Sequence, residues 1–331
     1  MRAIEISSYG GPEVLKMAER PLPAVGPDDV LIAVEAAGVS RADLMQRQGK
    51  YMPPPGASDI PGLDVAGTIS EIGSNVHQWN KGDRVCALLS GGGYAEYCSV
   101  PAVQVLPIPQ GWSAAEATTL PENLFTVYDN AVTRARLKTG ETVLVHGGAS
   151  GIGSMAIMLA RAVGANPYAT AGTEEKCAAC RSLGALDAAN YRTHDFVAAV
   201  KDWTGGRGVD VVFDIVGGAY LEKNIEAIAV EGRVALIATQ GGATGTLPLH
   251  RLMMKRGTIV ASTLRARTAA EKGEVASRLL ANIWPLLPSK EHIRPLIDRV
   301  FALEHAREAH ERLEQGDHIG KIVLAVNQAL S

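Results

Sequence analysis

The sequence predicts an α/β fold: a doubly wound parallel sheet accompanied by a separate, mostly β domain. Three observations carry this. Between residues 141 and 264, short β-rich runs alternate with amphipathic stretches that end in glycine, which is the pattern of βαβ units. A glycine-rich segment, HGGASGIGS (146–154), follows the first of these runs and opens the first amphipathic stretch. Before residue 120, alternating segments such as DVLIAVEAAG are broken by Gly and Pro turns such as MPPPGASDIPG and LSGGGYAEY, a pattern of short strands.

The expected parallel strands are ETVLVH (141–146), NPYATA (166–171), DAANY (187–191), VDVVFDI (209–215), RVALIAT (233–239) and TIVASTL (258–264). Between them stand SMAIMLARAVG, EEKCAACRSLG, HDFVAAVKDWTGG and AYLEKNIEAIAVEG. Each has helical apolar spacing and a terminal glycine placed as a C-cap. After residue 265 two amphipathic helices are expected, AEKGEVASRLLANIWPLL and LEHAREAHERLEQG, then a strand GKIVLAV that returns to the first domain.

At 331 residues, with 47% hydrophobic and 20% charged residues, the chain can bury an ample core, more naturally in two domains than one. A net charge of −3 gives no basic footprint for nucleic acid or an anionic membrane. Small molecules are the expected partners. No apolar run reaches the roughly 20 residues of a membrane span. Cys86, Cys98, Cys177 and Cys180 do not form a disulfide framework, and the opening MRAIEISSYG lacks a signal-peptide core, so a reducing, cytoplasmic location is expected.

In HGGASGIGS the glycines have a physical task. A pyrophosphate must approach backbone N–H groups at a helix N-terminus, where the dipole favours an anion and a Cβ would obstruct. Gly148, Ser150, Gly151, Ile152 and Gly153 are the candidate contacts. The same letters suit short-chain dehydrogenases, but here the motif lies mid-chain and no later tyrosine has lysine four positions on. That reading fails.

At the end of the second strand, where Asp or Glu would take the ribose hydroxyls of NAD, the sequence offers TAGTEEK. Gly172 is neutral and Lys176 is a nearby cation, so the 2′-phosphate of NADPH is favoured, with Tyr191 as a second donor. Glu174 and Glu175 compete with that assignment.

The strings GGPEVL, GVSRADLMQRQGKY, PPPGAS, PGLDVAG, GDRVCAL, GGYAEY, KRGTI and GKIVL together resemble the medium-chain dehydrogenase/reductase superfamily. Within it they are most similar to the zinc-free quinone oxidoreductase branch, of the p53-inducible type. The resemblance spans essentially the whole chain. It implies a GroES-like substrate domain from residues 1–121 and 267–331, a Rossmann domain over 122–266, and a homodimer, or a tetramer built on it, through strand 258–264.

Zinc alcohol dehydrogenases of that superfamily carry Cys where this chain has Ser40, and His-Glu where it has Leu63 and Asp64. Leucine cannot coordinate a metal, so no catalytic zinc is expected. The structural zinc lobe needs four cysteines near residues 90–110, and only Cys98 is there. No metal is expected.

The resemblance also implies an activity: NADPH-dependent hydride transfer to a quinone, with the acceptor held across a cleft from the nicotinamide. It assigns Tyr51 to orienting or protonating the acceptor oxygen, or to lining the pocket, with Ser40 and Asp43 as polar neighbours. Thr126 resembles a nicotinamide contact, while Val216, Gly217, Thr239 and Leu264 stand at strand ends where the ligand crevice opens. Without a Lewis acid, easily reduced acceptors are favoured, quinones and conjugated enones. Reduction of activated C=C bonds, in 2-alkenals or enoyl thioesters, and a low-turnover NADPH-binding protein of crystallin type stay open. Cys177-Ala-Ala-Cys180 is expected to be packing, and His305, Glu308 and His310 a solvated helix face.

Overall fold

The computed structural model describes residues 1–326. The chain divides into two compact units, one formed by Met1–Phe125, Leu264–Lys290 and the chain from Pro295 onward, the other by Thr126–Thr263 with Glu291–Arg294.

The second unit is an open sheet of six strands, Thr142–His146, Asn166–Ala171, Ala188–Asn190, Val209–Asp214, Ile228–Leu236 and Thr258–Ala261. In space they run third, second, first, fourth, fifth, sixth, and every neighbouring pair is parallel. This is the Rossmann order, with the strand order reversing beside the first strand, where such sheets open to ligands. Leu144, Val212 and Val234 are fully buried, as the near-continuous apolar strands of a doubly covered sheet require.

The helices Gly151–Ala162, Glu174–Ser182 and Phe196–Trp203 each start at a side-chain cap, from Ser150, Thr173 and Asp195. Each is followed within two residues by a glycine of positive φ: Gly164, Gly184 or Gly205. The fourth expected helix differs. It spans only Leu221–Ala227, and Ile228–Leu236 is strand, so Gly232 is not a C-cap. Ile228 and Ala229 are buried in the sheet, and a bulge sets Val209 opposite Ile228 but Val211 opposite Arg233. Burial of β-branched Ile228 outweighs the helical spacing.

The first unit holds a seven-stranded sheet. Its order is Ile297–Ala302, Lys321–Ala325, Asp29–Val39, Asp64–Ile72, Arg84–Leu88 and Val105–Pro107, with Tyr97–Pro101 also on Asp29–Val39. A second, two-stranded sheet joins Arg2–Ile6 to Leu15–Glu19. Ile32, Val34, Val65, Ile69, Val85, Tyr94 and Leu324 share one core. Strand Ile297–Ala302 is not legible in the sequence, because Asp298 and Arg299 interrupt its apolar pattern. Arg312 neutralises Asp298 with two hydrogen bonds of 2.9 Å.

The helix Ala306–Gln315 corrects a second expectation. His305 and Glu308 are exposed and paired at 3.2 Å, but His310 is fully buried and lies 3.1 Å from the Tyr94 hydroxyl. Among the described residues no helix is long and apolar enough to cross a membrane.

Candidate functional site

In the second unit, the chain leaves strand Thr142–His146 and turns directly into helix Gly151–Ala162. Ser150 closes the turn: its Oγ donates to the Gly147 carbonyl at 2.8 Å and accepts the Gly153 N–H at 3.0 Å. A Cβ on Gly153 would stand 2.1 Å from the Gly147 oxygen, so only glycine lets the helix start this close to the turn. The twelve-residue helix aims its N-terminal dipole at the space above Gly151 and Ile152, an arrangement that can receive an anion. Behind it, Cys180 Sγ lies 2.7 Å from where a Cβ of Gly148 would be. Cys177 and Cys180 are reduced and buried, and burial lifts the Cys180 thiol to about 12. It packs the turn.

The next strand ends at Ala171, and two side chains converge on Gly172. Tyr191 Oη lies 2.8 Å and Arg192 Nε 3.6 Å from the position a Gly172 Cβ would take. Lys176 stands in the first turn of helix Glu174–Ser182, where its backbone N–H is capped by Thr173 Oγ1 at 3.2 Å. Arg192 escaped the sequence reading, although it directly follows Tyr191 in NYR. Its signal was a basic residue two positions past the third strand.

The remaining strand ends are fastened by one buried chain of hydrogen bonds. Asp214 Oδ1 accepts the N–H groups of Val216 at 2.6 Å and Gly217 at 3.2 Å. Its Oδ2 accepts Asn224 Nδ2 at 2.9 Å. Asn224 Oδ1 must then accept a hydrogen bond from His146 Nε2–H at 2.8 Å, which leaves His146 Nδ1 to accept from Thr170 Oγ1 at 2.9 Å. Burial holds this imidazole neutral, depressing it to about 4 against the opposing effect of the Asn224 bond. Gly217, at φ +81°, would bring a Cβ to 2.8 Å from Thr239 Cα, so Val216, Gly217 and Thr239 form one edge. Thr126 is tied through its carbonyl to Asn130 Nδ2 at 2.9 Å, and Asn130 Oδ1 to Ser262 Oγ at 2.8 Å. Asn130 lies in the π-helical turn Tyr128–Arg134.

In the first unit, Ser40 caps helix Arg41–Arg47, and Asp43 beneath it is fully buried. The Asp43 carboxylate accepts Ser40 N–H at 2.8 Å, Ser40 Oγ at 2.9 Å, Gly62 N–H at 2.9 Å and Tyr94 Oη at 3.3 Å. Burial raises its pKa, and these donors pull against that. Four donors fix Asp43 as the post on which the loops of Ser40 and Gly62 are hung. Leu63 is buried, and Asp64 meets an ammonium: Lys321 Nζ is 2.6 Å from Asp64 Oδ2 and 3.5 Å from Glu122 Oε2. Burial lifts Asp64 to about 7, against the pull of Lys321. Burial opposes the Lys321 charge, yet the two carboxylates hold it protonated and raise its pKa.

Tyr51 is half-buried, and burial raises its pKa while the nearby Arg265 lowers it. The Arg265 guanidinium lies 5.2 Å from the Tyr51 ring centroid. It donates to the carbonyls of Ser90 at 3.0 Å and Tyr51 at 2.9 Å, and to Gln46 Oε1 at 2.5 Å. Ser40 and Asp43 are thus brought together, whereas Tyr51 is held by Arg265 and makes no hydrogen bond to either among the described residues. Leu264, next to Arg265, is half-buried in this unit. Arg265, Lys321 and Glu122 were missed as site residues because each acts on a segment distant in sequence.

The sequence matches the family described as alcohol dehydrogenase GroES-like domain over residues 26–110, and that described as zinc-binding dehydrogenase over 151–281. The human quinone oxidoreductase is 32% identical over 332 residues, covering 98% of this chain and 97% of that one. A solved NAD-dependent alcohol dehydrogenase is 31% identical with a TM-score of 0.86, covering 99% of this chain and 100% of its own. The Escherichia coli quinone oxidoreductase, solved in complex with NADPH, is 29% identical with a TM-score of 0.86, over 98% and 100%.

Proposed function

We propose, from the premise that the chain belongs to the medium-chain dehydrogenase/reductase superfamily in its quinone oxidoreductase branch, that it is an NADPH-dependent, zinc-independent quinone reductase. The observation that carries the cofactor assignment is the strand end at Gly172. No carboxylate occupies that strand end, and Lys176, Tyr191 and Arg192 offer donors to a 2′-phosphate. The turn through Gly148, Ser150, Gly151, Ile152 and Gly153 receives the pyrophosphate. The edge formed by Val216, Gly217 and Thr239, with Thr126 of the same unit, is assigned to the nicotinamide half.

When bound, the reduced nicotinamide supplies a hydride. The chain's own residues bind, orient and protonate. Tyr51 presents its phenol to the acceptor oxygen, and its raised pKa keeps the proton in place at neutral pH. Ser40 and Asp43 shape the wall beside it, with Asp43 acting as scaffold. Zinc is not required in this reading, because Leu63 offers no donor and Asp64 is already paired with Lys321. Quinones are favoured as acceptors since the relatives that cover this chain end to end include quinone oxidoreductases.

Steady-state NADPH oxidation against a panel of quinones, 2-alkenals and enoyl-CoA thioesters tests the reading. Turnover confined to quinones supports it. Turnover confined to alkenals or thioesters replaces it with reduction of an activated C=C bond, and NADPH binding without turnover replaces it with a binding protein.

The homodimer through Thr258–Ala261 belongs to the same proposal. That strand is an edge of its sheet, and Leu249, Met253 and Met254 on the preceding helix are exposed, an apolar edge that a second copy would cover. Light scattering of the wild type and of a Val260→Lys variant tests it: the variant should be monomeric.

A further inference from the structure

Arg265 and Lys272 are both almost fully buried, at 5% and 2% exposure. A buried cation is normally paired, because desolvation costs several kcal/mol per ion. These two are not. Lys272 Nζ donates to Ser90 Oγ at 2.6 Å and to the Arg265 carbonyl at 2.8 Å, and Arg265 donates to two carbonyls and an amide oxygen. Neither forms an ion pair among the described residues. Asp43, the carboxylate that acts on Arg265, has its own oxygens engaged by four donors. Burial depresses Lys272 to about 8, so the Arg265 guanidinium is the more permanent charge.

Three backbone segments meet at that guanidinium. Gln46 belongs to helix Arg41–Arg47, Tyr51 to the turn after it, and Ser90 to the loop after strand Arg84–Leu88. The fork fixes the Tyr51 carbonyl while the cation faces the ring. A guanidinium 5.2 Å from the centre of a phenol ring favours the phenolate over the phenol by Coulomb attraction, and Arg265 accordingly lowers the Tyr51 pKa against the effect of burial.

We propose that Arg265 is a positioning residue for the reaction, acting through Tyr51: it fixes the phenol and stabilises the negative charge that develops on it as it protonates the reduced acceptor. This rests on the quinone reductase reading and deepens it, since it selects acceptors whose reduction passes through an oxyanion. The step balances. Hydride addition moves two electrons to the quinone and leaves one oxygen anionic; Tyr51 gives that oxygen its proton and becomes phenolate beneath Arg265. One proton from water completes the cycle by restoring Tyr51, because the hydride itself supplies the other hydrogen of the quinol, so that NADPH, quinone and one proton give NADP+ and the neutral quinol. Lys272, behind Ser90, adds positive potential and holds the Arg265 carbonyl.

The test reads the Tyr51 phenol directly. Its ionisation is followed by ultraviolet difference titration, with Tyr51→Phe subtracting the other tyrosines, in the wild type, Arg265→Gln and Arg265→Lys. The expected result is a Tyr51 pKa higher by about one pH unit or more in Arg265→Gln, largely restored in Arg265→Lys, which keeps the charge. With a neutral quinone, kcat in Arg265→Gln should fall about ten-fold or more while KM changes less than about three-fold. Superimposable titrations in folded wild type and Arg265→Gln overturn the proposal. If Arg265→Gln does not fold, Arg265→Met, which keeps the apolar stem and removes the charge, decides: a Tyr51 pKa higher by about half a pH unit or more supports it, and an unshifted titration overturns it. The titration needs no acceptor, so a protein that turns over no quinone fails the functional reading and still tests the coupling of Arg265 to Tyr51.

Discussion

Replacing Lys176 by Ala removes one cation from the edge around Gly172 and leaves Tyr191 and Arg192 in place. A hydrogen bond to a charged group contributes about 1.5–3 kcal/mol, so the NADPH dissociation constant should rise about 10- to 150-fold. NADH, which has no 2′-phosphate, should bind as before. Two features of the structure set where in that range the loss falls. Tyr191 is 42% exposed and Arg192 is exposed, so solvent screens this edge and the loss should sit toward the lower end at 0.15 M salt, where the Debye length is about 8 Å. Arg192 also remains as a cation able to move toward the phosphate. The assay is a fluorescence titration of each protein with NADPH and with NADH, at low and high salt. The NADPH penalty should shrink as salt rises. An equal loss for both cofactors would mean that Lys176 supports the helix start rather than the phosphate, and no loss for either would refute the assignment of the 2′-phosphate to this edge.

Arg192→Gln should likewise weaken NADPH selectively, by a smaller factor than Lys176→Ala; a loss shared by NADH removes Arg192 from the subsite. Lys321→Met leaves the buried Asp64 carboxylate and the partly exposed Glu122 without their cation, and should cost about 3–5 kcal/mol in urea denaturation near neutral pH. The deficit should narrow as pH falls, because Asp64 can then take up a proton, and a cost below about 1 kcal/mol would show that the triad is not held as described. His146 and His310 are depressed by burial to about 4 and about 3, below their ordinary value near 6.5. The unfolded chain therefore binds more protons below that value, so their contribution to stability is present above about pH 6.5 and is lost as pH falls toward 4 and 3. Acid denaturation should show this slope, and it should flatten in a His146→Gln, His310→Gln variant; an unchanged slope contradicts the neutral assignments. Gly153→Ala forces a Cβ into the Gly147 carbonyl at 2.1 Å. It should destabilise the protein by about 1–3 kcal/mol and weaken NADPH and NADH alike, and binding at wild-type strength would show that the turn can shift.

The architecture of the second unit was legible in the sequence because its signals are local. An apolar run, a glycine-rich turn and, for three of the helices, a glycine just past the end fix strand, turn and helix within about ten residues of one another. The glycine turn and the neutral strand end at Gly172 belong to the same class, and so does Leu63, a side chain without a donor atom. Where local spacing competed with burial, it lost: Ile228 reads as helix by period and lies in a strand because it is fully buried opposite Val209.

The tertiary structure decided which charged groups meet. Lys321 lies 257 positions from Asp64 and Arg265 lies 219 from Gln46, and no periodicity connects residues that far apart. His310 shows the same limit, since a helix of alternating charges looks solvated until one position is found against Tyr94. By itself, then, the sequence determined the parallel sheet, the glycine-rich turn at the start of its first helix, and a leucine, which has no donor atom, in the frame of Ser40, Leu63 and Asp64. Only folding decided that the frame would be closed by an ammonium on Asp64 and that a buried guanidinium would hold Tyr51, because the strength of a charge depends on burial and on partners that the chain order does not reveal.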